Sequence, residues 1–308
     1  MKIFSIVIPV FQNEGSVIET YLQLNSLFSG ELSGRYIPEI IFVNDGSTDS
    51  SLDKLIELKL SGAQIKIINL TRNFGQANAL QAGYEKSEGD LILTISADLQ
   101  DPIDLIPTMV KHYEAGADVI VCHRTSREDD FFSKLFSMIA YKIIKISVPK
   151  MPSGGFDYVL LSRRAIGAVI EFGGKTKFLQ ADMLWAGFPM SLIPYTRRKR
   201  QSGKSQYNFW KKFKVFLDAI IDISYLPIRF VSGIGVGIAC IGFLYSLTVI
   251  ISWFFHKTPF PGYAPIIISI FIIGGLNIIL LGVIGEYVWR IYEEVRKKPT
   301  YLIDKIYD

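Results

Sequence analysis

The chain has 308 residues, 49% of them hydrophobic and only 20% charged, with a mean hydropathy of +0.29. That allows one sizeable soluble domain together with membrane-type segments. The net charge of +4 is modest, and its basic part gathers beside the apolar runs, which suits anionic headgroups and phosphates and argues against a nucleic-acid partner.

From the N-terminus, short apolar β-branched runs alternate with helix-length segments: FSIVIP (4–9), EIIFVN (39–44), IKIINL (65–70), DLILTIS (90–96) and DVIVC (118–122). This rhythm predicts an α/β fold with a mostly parallel, helix-covered sheet. The opening MKIFSIVIPVF breaks at QNE without a small-residue cleavage pattern, so a signal peptide is not expected there. Each run ends in polar residues: Asn13 and Glu14, Asp45, Arg72 and Asn73, Asp98 and Gln100, and Arg124. In a parallel sheet these share the carboxyl edge, where open α/β sheets bind ligands. No GxGxxG follows the first run, and SGKS (202–205) lacks the upstream glycine of a phosphate loop, so neither nucleotide motif is present.

VNDGSTDSS (43–51) has two readings. It is a capped strand–helix turn with Ser47, Thr48 and Asp49 as helix N-caps, or it brings Asp45 to a nucleoside base or ribose. SADLQDP (96–102) also has two readings, as an acidic turn or as a cation site. Asp98 and Gln100 flank Leu99, so both can turn toward one hard cation, Mg²⁺ or Mn²⁺, while Leu99 enters the core. Asp101-Pro102 is expected to cap the next helix in either case.

Two segments, 131–147 and 207–223, mix Phe, Trp, Leu and Ile with Lys at helical spacing, as interfacial helices do. Phe230 to Phe255 and Tyr263 to Gly285 then carry no charge, where roughly 20 residues cross a bilayer, and HKTPFPG between them is turn-like. This predicts a two-helix transmembrane hairpin. Lys211, Lys212, Lys214 and Arg229 precede it and Arg290, Arg296, Lys297 and Lys298 follow it, so both termini are expected on the cytoplasmic side. Cys122 and Cys240 are then not expected to form a disulfide.

Taken together, SIVIPVFQNE, VNDGSTD, LTRNFGQANALQAGYEKSEGD, ADLQDP, GGFDYVLLSRR, RQSGKSQY and the closing GVIGEYVWRIYEE resemble the polyprenyl-phosphate glycosyltransferases of glycosyltransferase family 2. These are similar to dolichyl-phosphate mannose synthase and, more closely, to bactoprenol glucosyltransferases. The resemblance implies an inverting enzyme with a GT-A, Rossmann-like catalytic domain at 1–206 and a juxtamembrane segment at 207–229. It further implies transmembrane helices at 230–255 and 263–289 around a short external loop at 256–262, and a cytosolic tail at 290–308. The implied donor is a UDP-sugar, UDP-glucose by closeness to the bactoprenol enzymes. The implied acceptor is undecaprenyl or another polyprenyl phosphate, and the implied setting a bacterial inner membrane with a homo-oligomer, a tetramer in similar proteins. By position, Pro9, Glu14 and Asp45 would hold the uridine, Asp98 and Gln100 the metal, Arg124 and Arg200 phosphates, Ser205 the donor, and Asp157 would be the catalytic carboxylate, with a loop-capping aspartate as the alternative reading of Asp157.

The sequence departs from the family pattern at three places. Ser96 stands where an aspartate is usual, Gln206 stands where a lysine is usual with Lys204 nearby, and GGFDY puts its acid after the Phe. A processive polysaccharide synthase would carry a QxxRW motif and more spans, and both are missing. A membrane-anchored nucleotide-sugar-binding scaffold without catalysis is the alternative that Ser96 raises.

Overall fold

A computed structural model of the protein describes residues 1–124, 148–152, 156–172, 179–197, 264–296 and 298–308, with residue 145 and scattered positions between 233 and 255. The chain divides into two units, one of Met1–Ile223 with Pro299–Asp308 and one of Ser224–Lys298.

The first unit is built on a sheet in the order β7-β5-β6-β4-β1-β2-β3-β8. Its strands are β1 (Lys2–Val10), β2 (Tyr36–Asn44), β3 (Ile65–Leu70), β4 (Leu91–Thr94), β5 (Val119–Arg124), β6 (Tyr158–Ser162), β7 (Met190–Tyr195) and β8 (Ile303–Tyr307). The helices of this unit are α1 (Val17–Ser29), α2 (Ser51–Leu60), α3 (Gln76–Glu85), α4 (Ile106–Glu114), α5 (Arg163–Glu171) and α6 (Leu179–Trp185). Strand β1 is apolar on both faces because both are covered, as parallel sheets require. Phe4, Ile6, Ile8 and Val10 pack with Leu24 and Phe28 of α1, Leu55 of α2 and Met109 of α4. Val7, Ile41, Val43 and Ile68 face the other way, against Ala79, Leu80 and Tyr84 of α3 and Ile166 of α5.

The parallel core is as expected: β1 pairs in parallel with β2 and β4, and β2 with β3. Three strands lay outside the expectation. β6 runs antiparallel between β4 and β5, β7 runs parallel to β5 at one edge, and β8 runs antiparallel to β3 at the other. Pro194 is tolerated in β7 because an edge strand needs hydrogen bonds on one side only. The expected tail at 290–308 therefore contains an edge strand. Thr71 N donates to Leu302 O at 3.0 Å and Asn69 Nδ2 to Asp304 Oδ2 at 3.0 Å.

In the second unit, α7 (Ala264–Val295) is a helix of 32 residues, about 48 Å long at 1.5 Å per residue. It contains Ile272–Tyr292, which among the described residues is the one helical stretch long and apolar enough to cross a membrane. Ile270, Ile278, Leu281 and Ile284 are exposed along it. Trp289 and Tyr292 lie near its end with ring centroids 5.6 Å apart and planes tilted by 39°. The helix continues past the expected boundary at 289. Of the expected first span, residues 233–238, 240–244, 247–248 and 251 are helical and 255 is in a turn; its remaining residues, the segment 207–229 and the loop 256–262 lie outside the described residues. So does the expected interfacial helix at 131–147, apart from Lys145.

Candidate active site

Direction decides what converges. β1 to β5 all run the same way, so the residues after their last positions share one edge of the sheet. β6 is antiparallel, so its start, not its end, lies at that edge, and this brings Asp157 there. β7 follows β5 in register, with Arg124 opposite Tyr195.

The loops after β1 and β2 are stitched together. Gln12 takes a left-handed φ of 58°; its backbone N donates to Ser47 Oγ at 3.2 Å and its side chain to Thr48 Oγ1 at 2.7 Å. Asn13 N donates to Ser51 Oγ at 2.9 Å and Glu14 N to Asp49 Oδ2 at 3.1 Å. The expected capping by Ser47 and Thr48 is not what these hydroxyls do. Helix α2 starts at Ser51 with Ser50 in the cap position and no cap from the Ser50 side chain; Asp49 Oδ1 accepts from Ser51 N at 3.1 Å and Glu14 Oε2 from Ser50 N at 3.1 Å. Pro9 sits in β1 opposite Val43, partly buried. Glu14 is exposed, and Asp45 is buried.

Both oxygens of Asp45 hold backbone, accepting from Phe74 N at 2.7 Å and Gly75 N at 3.0 Å. Burial raises its pKa, and those two N–H groups and Arg72 offset part of the rise. Beside it Gly46 has a φ of 65°, and a Cβ there would lie 2.4 Å from the Arg72 carbonyl carbon. Only glycine lets the 72–75 loop approach this closely. Arg72 stacks over the Phe74 ring at 4.1 Å.

After β4 the chain turns sharply, with Leu99 at a φ of 58° and buried as expected. Ser96 Oγ lies 2.9 Å from Asp98 Oδ1 and 2.5 Å from Asp101 Oδ2, and Gln100 N donates to Asp98 Oδ1 at 3.2 Å. Asp101 does not cap the next helix. A 3₁₀ turn at Ile103–Leu105 has Pro102 in its cap position, and neither it nor α4 takes a side-chain cap. The Asp101 side chain is fully enclosed and accepts from Ser96 N at 3.1 Å and from the Tyr195 hydroxyl at 2.8 Å.

Arg124 Nη2 meets Asp157 Oδ2 at 3.2 Å, and Gln180 Nε2 from α6 donates to Asp157 Oδ1 at 3.0 Å. Asp157 keeps 40% of its side chain exposed, so it can meet a substrate as Asp101 cannot. Asp157 thus pairs with Arg124, the guanidinium that the resemblance assigns to a phosphate. Burial, and then the Asp101 carboxylate, raise the Tyr195 phenol above its ordinary range. Burial likewise pushes the Cys122 thiol to about 12, so it is inert. Arg200 and Ser205 lie outside the described residues. Asp101, Tyr195 and Gln180 went unassigned in the sequence; Asp101 alone stood inside a quoted motif, where a capping role hid it.

Among the described residues no three His, Cys, Asp or Glu side chains gather as a metal cage. A hard divalent cation fits the donors that are there: a nearly buried carboxylate at Asp98 and an amide oxygen at Gln100, close along one turn, with the remaining positions left to water and phosphate.

The model of the family described as "Glycosyl transferase family 2" matches residues 5–158. The chain belongs to this family. It is a glycosyltransferase. It is 35% identical to the SfII prophage-derived bactoprenol glucosyl transferase of Shigella flexneri, over 99% of this chain and 98% of that one. An uncharacterized glycosyltransferase of Synechocystis is also 35% identical, over 98% and 95%. Among solved structures, glucosyl-3-phosphoglycerate synthase of Mycobacterium tuberculosis bound to UDP superposes with a TM-score of 0.52 at 16% identity, over 71% of this chain and 79% of that one. At that identity the likeness shows the GT-A-like fold of this glycosyltransferase.

Proposed function

We propose that the protein transfers a hexose, glucose as the first candidate, from a UDP-sugar to undecaprenyl or another polyprenyl phosphate at the cytoplasmic face of a bacterial inner membrane, with inversion. What carries the reading is the match over nearly the whole chain to proteins named bactoprenol glucosyl transferase. The apolar helix α7, with its aromatic end, supports a lipid acceptor. The organisation that goes with it is a catalytic domain at 1–206, interfacial segments, a two-helix hairpin at 230–255 and 263–289, and a homo-oligomer.

The acceptor phosphate is already ionised and needs placement more than a strong base. Its oxygen attacks the anomeric carbon as the bond from that carbon to the diphosphate oxygen breaks, so UDP leaves from the opposite face. Asp98 and Gln100 would hold Mg²⁺ or Mn²⁺, which when bound offsets the charge building on the diphosphate. Pro9, Glu14 and the loop pinned by Asp45 line the uridine end. Arg200 and Ser205 are assigned to the phosphates. Asp157, held by Arg124 and Gln180, orients the acceptor or steadies positive charge developing on the sugar.

The test is mass spectrometry of lipid products after the purified protein meets undecaprenyl phosphate, Mn²⁺ or Mg²⁺ and a panel of UDP-sugars. One sugar on the lipid monophosphate, lost in Asp98→Asn, is the expected result. No product with any donor, from folded protein that binds UDP, overturns the transferase reading in favour of a nucleotide-sugar-binding scaffold.

A further inference from the structure

A run of polar side chains connects the two ends of the site, and its middle members have no role in the chemistry above. It begins at Asp98 and passes through the Ser96 hydroxyl, 2.9 Å away, to Asp101 at 2.5 Å, then to the Tyr195 hydroxyl at 2.8 Å. Arg124 follows, close enough to the Tyr195 hydroxyl for each to shift the other's pKa, and reaches Asp157 at 3.2 Å. Arg124 and Tyr195 stand opposite each other in the β5–β7 ladder, which makes their contact a matter of register.

The polarity of this run is dictated by its donors. Asp101 is a buried acceptor whose desolvation is offset by the N–H and O–H groups pointing at it and by nearby positive charge. It takes the one proton of the Tyr195 hydroxyl. The phenolic oxygen is then left with lone pairs alone for Arg124, which has only donors to offer. A guanidinium is a rigid planar fork, so fixing one of its N–H groups on Tyr195 fixes the direction of the others. Arg197 adds positive charge to the same carboxylate, with Nε at 3.9 Å, beyond hydrogen-bonding distance.

We propose that Asp101 and Tyr195 form a positioning pair, which aims Arg124 at Asp157 and ties that arginine to the loop carrying Asp98. The inference rests on the transferase reading, because Asp157 must do chemistry for its aim to matter. Neither Asp101 nor Tyr195 touches substrate in this scheme.

Tyr195→Phe removes the hydroxyl and keeps the ring that meets Tyr158 edge-on, with centroids 5.9 Å apart. In the full-length protein acting on undecaprenyl phosphate with the donor it uses, kcat is expected to fall roughly 10–100-fold, the range for losing a partner of an active-site group. The KM for the donor and the affinity for UDP with Mn²⁺, read by calorimetry, are expected to stay at wild-type values. The same hydroxyl loss placed on Asp157→Asn is expected to add nothing, since the pair acts through that carboxylate. Arg124→Lys keeps the charge without the fork, and its kcat-only loss is expected to match, which secures the test if Tyr195→Phe folds poorly. Losses that multiply in the double variant, or UDP affinity falling in step with kcat, overturn the positioning role. An inactive wild type overturns the transferase reading, whereas an active wild type with an unaffected Tyr195→Phe and Arg124→Lys overturns this inference alone.

Discussion

Gly46 and Asp45 together hold the 72–75 loop, proposed above as the donor end, and the two act by different physics. Asp45 holds Phe74 N and Gly75 N, while Gly46 makes room for the Arg72 backbone that precedes them. Gly46→Ala would force a side chain into left-handed backbone, about 1–2 kcal/mol, and set its Cβ against peptide atoms that cannot rotate away. The expected outcome is a lower thermal midpoint together with weaker UDP binding, measured by melting with and without UDP; unchanged UDP binding would separate the 72–75 loop from the donor end. The DGS sequence already announces a glycine turn. That the glycine faces Arg72 was not readable, because the partner lies in the loop after another strand. Asp101 carries the same lesson more sharply: an acid before a proline reads as a helix cap, yet its oxygens accept from Ser96 in its own turn and from Tyr195 on a strand far along the chain.

The strands and helices behave according to how local their causes are. β1, β2 and β3 are near-continuous apolar runs and form where such runs stand. β6 is shorter and β7 no longer than β3, and their pairing with β5 depends on neighbours brought from elsewhere. One side chain joins these elements at the edge opposite the active site. Asp118, just before β5, accepts from Arg164 Nε of α5 at 2.6 Å and from Ser162 Oγ at the end of β6 at 2.7 Å. The Arg164 hydrogen bond comes first among the causes that hold the Asp118 pKa below its ordinary value, and burial opposes it. The unfolded chain therefore binds a proton at Asp118 at a higher pH than the folded one does. Its stabilisation is complete above the ordinary aspartate range and is lost as pH falls through the lower, folded value. Asp118→Asn is expected to melt below wild type at pH 7, with the gap closing as the pH drops below about 4, the ordinary aspartate pKa; a gap that persists at low pH would show that the charge is not what matters.

At the scale of the whole molecule, the catalytic unit and the apolar unit alternate along the chain, since residues 299–308 return to the first unit after the helix α7. The exposed apolar length of α7 has no covering among the described residues of its own unit, and a bilayer supplies one at no cost in unpaired backbone, because a helix satisfies its own N–H and C=O groups. The full chain is expected in the membrane fraction, retained through high salt and alkaline carbonate and released by detergent. Release by salt alone would make the attachment electrostatic and peripheral.

Composition and order of residues were enough to establish the α/β class, the apolar C-terminal region and the acidic motifs after the second and fourth strand runs, for all of these are written in neighbours a few residues apart. Which side chains meet was decided only in three dimensions. Asp157 joins the carboxyl edge because β6 runs antiparallel, and Tyr195 faces Arg124 because β7 lies in register beside β5. The last ten residues close the far edge of the sheet because β3 offers unpaired backbone there. Strand direction, register and neighbour are properties of contacts between segments far apart in the chain, and burial of an acceptor such as Asp101 follows from those contacts, not from the residues on either side of it.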